Sequence, residues 1–91
     1  MNNSSVEKIA CFTTVLDPYN GITIDAKDLP SCKEEFELNL DYLIEETIEK
    51  RNLIWIYIDI KRSDFIPIAI KRSFYFHSCD EDYVLLVKRL K

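Results

Sequence analysis

The segment LIWIYIDI, residues 53–60, constrains the fold more than any other part of this chain. It is apolar on both alternating sets of positions until Asp59, the pattern of a central strand covered on both faces. A sheet must therefore run through the middle of the molecule, and the flanking sequence must supply its neighbours and its cover. With 91 residues and 47% hydrophobic content, the chain can bury one modest core, which predicts a single domain over 1–91 with its ordered part at about 9–90.

The neighbours follow from turn chemistry and periodicity. IACFTTVL is rich in β-branched and apolar residues, DPYNG carries the Asp-Pro and Asn-Gly pairs of a reversal, and GITID alternates again, so a β-hairpin is expected over about 9–25. Gly21 is the sole glycine of the chain and is expected at a positive-φ or bulge position in that turn. After Pro30, Ser31 and Glu34 have capping-box spacing. Phe36, Leu40, Leu43, Ile44 and Ile48 recur at three- and four-residue steps opposite Glu35, Glu45, Glu46 and Glu49, predicting a helix to about Arg51 with Asn52 as terminator. SDFIPIAIKRS reads as a short helix with Ser63 or Asp64 as cap, Pro67 in the first turn and Ile66, Ala69 and Ile70 on one face. Lys71 and Arg72 suit its C-terminal dipole. FYFHS and YVLLVKRL, separated by the turn CDED, complete the order β-β-α-β-α-β-β. The fold class is α+β: a mixed five-stranded sheet packed with two helices.

Charge and residue usage exclude several functions. A net charge of −4 argues against a general nucleic-acid binder. Residues 1–50 carry eleven acids against four bases, and residues 51–91 carry eight bases against five acids. Lys61, Arg62, Lys71, Arg72, Lys88 and Arg89 could form a basic patch for a phosphate or an acidic partner, or simply a solvated rim. No apolar run nears the roughly 20 residues of a membrane span, and MNNSSVEKIACF lacks a signal peptide's basic start and apolar centre. Cys11, Cys32 and Cys79 are odd in number and far apart, which fits reduced thiols and a cytoplasmic protein.

Chemistry-bearing residues are few. His77 and Cys79 stand two apart and would share one side of a strand, but close-paired metal ligands and a second histidine are missing. Their i, i+2 spacing is also too wide for a direct Cys–His hydrogen bond. His77 is expected at a sheet edge and Cys79 in a turn. Glu45 and Glu46 read as a solvated helix face. No catalytic, cofactor-binding or metal-binding residue is assigned.

The series DPYNGITID, a helix, LIWIYIDI, FIPIAIKRSFYFH and DYVLLVKRL resembles the pre-Nudix domain, the module found ahead of the catalytic domain in a subset of Nudix hydrolases. The similarity runs from about Phe12 to Leu90. It rests chiefly on the Asn20-Gly21 turn, the IPIA helix and Phe76-His77 leading to a Tyr-initiated last strand. Two positions depart from the family. Ser73 stands where a glycine is usual, implying a left-handed residue strained by roughly 1 kcal/mol. Ser78, Cys79 and Asp80 replace a second histidine and Ala-Glu.

The resemblance implies a fold like the C-terminal half of a GNAT acyltransferase, with strand order 1-2-3-5-4 and strands 2 and 3 parallel through a right-handed crossover. Acyl-CoA binding is not expected: the segment that would hold the pyrophosphate reads DAKDLPSCK, with Asp25 and Asp28 and no glycine. The Nudix box needs glycines at two separated positions, which one glycine cannot supply, so the chain alone is not expected to hydrolyse nucleoside diphosphate derivatives. The implied function is a non-catalytic module that packs against, orients or regulates a Nudix catalytic domain or another protein, or a free-standing relative of it. The alternatives are a self-associating protein, a homodimer pairing an exposed edge such as residues 9–16, and a degenerate acyltransferase-like protein.

Overall fold

The computed structural model describes residues 6–90; Met1–Ser5 and Lys91, included in the single-domain reading, lie outside the described residues. The elements are β1 (Val6–Ile9), β2 (Phe12–Leu16), β3 (Ile22–Ile24), α1 (Lys33–Thr47), β4 (Leu53–Asp59), α2 (Ile66–Ile70), β5 (Tyr75–Cys79) and β6 (Tyr83–Arg89). Short 3-10 turns at Ala26–Asp28 and Ile60–Phe65 precede the two helices. The sheet has six strands, not five, in the order β1-β2-β3-β4-β6-β5. β3 and β4 are parallel and the other neighbours antiparallel. The expected order of five strands is present as β2-β3-β4-β6-β5, with β1 added outside it.

The extra strand comes from a reversal inside IACFTTVL. Ile9 pairs with Phe12, leaving Ala10 and Cys11 as a two-residue turn in which Ala10 takes a φ of 55°. Positive φ at the first turn residue matches the twist of a tight hairpin but is normally a glycine position. The next turn also places its left-handed residue unexpectedly: Asn20 has φ 62°, and Gly21 has no positive φ. Gly21 is needed for closeness instead. A Cβ there would stand 2.7 Å from Asp17 Oδ2 and 3.1 Å from Leu53 Cβ. The Asp17 carboxylate sits so near because it accepts from the amides of Tyr19 and Gly21, each at 2.8 Å.

The helix α1 starts one residue later than its sequence suggests. Cys32 is the N-cap, its Sγ accepting from the Glu35 amide at 3.5 Å, in place of a Ser31–Glu34 box. The Ser31 carbonyl accepts from Arg62 Nη2 at 2.6 Å. The helix also ends early, at Thr47, whose carbonyl takes the amides of Lys50 and Arg51 as the chain turns away. Ile48 is consequently 46% exposed. Asn52 is not the terminator; its amide donates to Asn20 O, its side chain to Tyr19 O, and its carbonyl accepts from Leu90.

The second helix is preceded by a 3-10 turn in which Asp59 caps the Lys61 amide, and the helix itself starts from Phe65 with no side-chain cap from Ser63 or Asp64. Phe65 and Ala69 are buried, whereas Ile70 is exposed. Ser73 N donates to Ile70 O and Phe74 N to Ala69 O, a Schellman closure with Ser73 at φ 71°. This is the strained serine expected from the family pattern.

Both helices lie on one side of the sheet. Phe36, Leu40 and Leu43 of α1 join Phe12, Ile22, Ile24, Ile54, Ile56, Ile58, Phe65, Phe74 and Leu86 in one core. Phe36 and Phe65 stack with centroids 4.5 Å apart and planes 8° from parallel. Arg72 ties the helices together from outside, donating to Asp41 at 2.6 Å, Glu37 at 2.8 Å and Ile68 O at 3.0 Å. Among the described residues, every buried side-chain nitrogen and oxygen has a hydrogen-bond partner, although Phe76, in the core-facing row at the β5 edge, is left 58% exposed.

Candidate docking face

β4 is covered on one face only, which corrects the expectation of cover on both. Ile54, Ile56 and Ile58 point into the core, and the residues between them point the other way. Register makes the consequence visible across the sheet: Val6, Val15, Thr23, Trp55, Val87 and Tyr75 form one continuous row through all six strands. No helix covers that row. Tyr57 and Leu85 pair in the next row, and Asp59 and Tyr83 in the one after.

Aromatic rings dominate this face. Trp55 meets His77 edge-on at 5.1 Å, and Tyr57 meets Tyr83 edge-on at 6.4 Å. Val87, between Trp55 and Tyr75 in register, is left only 3% exposed, while Tyr57, Tyr75 and Tyr83 remain partly open. Shallow hollows run along the rings, one of about 330 Å³ over Trp55, Tyr57, Leu85 and His77 and one of about 220 Å³ at Asp25, Tyr57 and Tyr83. Contiguous exposed apolar surface of this kind marks an interaction site more often than scattered single residues do.

The residues singled out in the sequence do not assemble elsewhere. His77 is on edge strand β5 as expected, at a bulge between the Phe76 and Ser78 pairings, with Nδ1 3.2 Å from Ser78 Oγ. Cys79 is the last residue of β5, not a turn residue. Glu45 and Glu46 are exposed on α1. The six basic residues are split, because Lys88 and Arg89 flank the start of β4 while Lys61 and Arg62 follow its end. Arg62 also lies 4.1 Å over the Phe65 ring, and Arg72 is held by Asp41 and Glu37. Residues 12–16 are not an edge: β2 is paired on both sides, and the edges among the described residues are β1 and β5. The three cysteines are unpaired, and burial raises the Cys11 thiol above its ordinary pKa. No described helix is long and apolar enough to cross a membrane.

A family model described as the Nudix hydrolase domain matches residues 12–90, from the first residue of β2 to the residue after β6. The chain belongs to the Nudix hydrolase family. Its part in that family is the N-terminal, pre-Nudix domain. A curated relative, Nudix hydrolase 8 of Arabidopsis thaliana, is 28% identical over 85 residues, covering 92% of this chain. The pre-Nudix domain spans 23% of that relative's length.

Reasoning from sequence missed the open face of this pre-Nudix domain. A usable signal was present in the element count: two helices, one of them barely more than a turn, can cover one side of a sheet this wide but not both.

Proposed function

We propose that this pre-Nudix domain is a non-catalytic cytoplasmic module that rests its open sheet face on a Nudix catalytic domain and so orients or regulates it. The observation that carries the reading is the row from Val6 to Tyr75, left without a helix on a domain whose two helices pack on the other side of the sheet. The half-GNAT reading of the fold fits the parallel β3–β4 pair and the neighbouring β6. Acyl-CoA chemistry does not fit the approach to α1, where Asp28, Glu34 and Glu35 would repel a pyrophosphate.

Trp55 is the chain's single tryptophan and lies in that row, so it reports on docking. With 5-fluorotryptophan in place, addition of a Nudix catalytic domain shifts the fluorine resonance, and Leu85→Lys weakens the association at least about tenfold. An unmoved resonance at saturating partner refutes docking through this face. The isolated chain shows no magnesium-dependent hydrolysis of nucleoside diphosphate derivatives, and measurable turnover refutes the non-catalytic reading. Self-association is a second use for such a surface, favoured by a β5 edge exposed along its whole length. Sedimentation velocity over a wide concentration range separates the two readings.

A further inference from the structure

One corner of the open face has a chemistry of its own. Tyr57 and Tyr83 meet with planes 81° apart, forming two walls of a right angle. The parallel register of Ile24 with Ile56 carries the next residue, Asp25, to the same corner, and these three residues line a hollow of about 220 Å³. Asp25 Oδ1 accepts from the Lys27 amide at 3.1 Å, which fixes the carboxylate in place. Asp59 lies opposite Tyr83 in register, with its own Oδ1 capping the Lys61 amide. Among the described residues, neither Asp25 nor Asp59 forms an ion pair with a lysine or arginine.

Two ring faces at right angles with a fixed carboxylate attract a cation, through the ring quadrupoles and through charge. The carboxylates turn anions away, and an apolar group would leave Asp25 desolvated without a partner.

We infer that the Tyr57–Tyr83–Asp25 corner receives the guanidinium of an arginine on the protein that covers the open face. The inference rests on the docking role given to that face and names the chemistry its partner must present. The guanidinium stacks on the open face of one ring and donates to Asp25, while the rest of the partner lies over Trp55 and Leu85. In this arrangement the corner sets the register of docking, because a displaced partner leaves its cation in solvent.

The test uses a free cation on the whole chain. Nα-acetyl-arginine amide is titrated while the Tyr57 and Tyr83 ring resonances are followed by NMR, with neutral Nα-acetyl-norleucine amide as control. Saturable millimolar shifts of both rings are expected with the arginine probe alone. Tyr83→Leu and Asp25→Asn each weaken binding by about fivefold. Asn at position 25 keeps an oxygen for the Lys27 amide, so the turn is preserved, and unchanged amide dispersion confirms it. Equal shifts from the neutral control, no shift from either probe, or an unaltered affinity in Asp25→Asn overturns the assignment. Failure here with the fluorine signal of Trp55 still responding to a catalytic domain removes the cation site and leaves docking standing. The converse result removes docking and leaves the site.

Discussion

Gly21 offers the most direct test of how the turn between β2 and β3 is built. Its φ is ordinary, so Gly21→Ala should be harmless on conformational grounds and should even gain about 0.4–1 kcal/mol by restricting the unfolded chain. Contact geometry opposes this. The new Cβ would lie 2.7 Å from Asp17 Oδ2, 3.2 Å from Oδ1 and 3.1 Å from Leu53 Cβ. Leu53 begins β4 and gives little, so the carboxylate must move by more than about 0.5 Å to reach ordinary contact, loosening its bonds to the amides of Tyr19 and Gly21.

Weakening two partly solvated charge-assisted bonds and crowding Leu53 costs about 2 kcal/mol, which leaves a net loss of about 1–2 kcal/mol. Urea unfolding followed by circular dichroism measures it. The decisive comparison is a double-mutant cycle with Asp17→Ala. Removing the carboxylate removes the main collision, so Gly21→Ala costs less than about 0.5 kcal/mol in that background. Equal costs in the two backgrounds refute the reasoning.

Other expectations follow from the backbone and the caps. Ser73→Gly relieves a φ of 71° in the Schellman closure after α2 and raises stability by about 1 kcal/mol, or about 4–8 °C in Tm by thermal scan. Cys32→Ser replaces a 3.5 Å thiol cap by a hydroxyl and stabilises α1 by about 0.5–1 kcal/mol, measured as a shift in the urea midpoint. Arg72, by hydrogen bonding, holds the Asp41 carboxyl below its ordinary value of 3.8. The folded-state pKa is the lower one, so this pair's contribution is complete above the unfolded-state value near 3.8 and is lost as pH falls from there through the folded-state pKa. Arg72→Met therefore flattens the acid side of the stability profile below about pH 4, and an unchanged profile contradicts the pairing.

Much of the fold was legible because periodicity reports burial. The α1 stripe of Phe36, Leu40 and Leu43, the β4 run and the β5–β6 hairpin all lie where their patterns indicated. The parallel β3–β4 pair and the place of β6 beside β4 came from the family resemblance rather than from any local signal. Two kinds of detail stayed hidden. Turn chemistry misled where unusual residues took left-handed backbone, as at Ala10: the strand read over IACFTTVL takes in only Ile9 of β1 and runs through the turn into β2. Alternation misled at β4 because Trp55 and Tyr57 are apolar enough to look buried when they face outward, and an apolar strand does not say which of its sides has a cover. The candidate site was invisible for the same reason.

The sheet is not equally fastened along its width. β4 and β6 share seven register pairs, whereas the ladder between β3 and β4 has three: Ile22 with Ile54, Thr23 with Trp55, and Ile24 with Ile56. The described strands N-terminal to α1 join the remainder of the sheet along this short parallel seam. Polar staples close one end of it, where Asn20 holds the carbonyl of Lys50 and the guanidinium of Arg51, and the Asn52 side chain reaches Tyr19 O. The β2–β3 ladder also has three pairs, so transient opening is expected on the N-terminal side of the sheet before it reaches the seven-pair β4–β6 ladder.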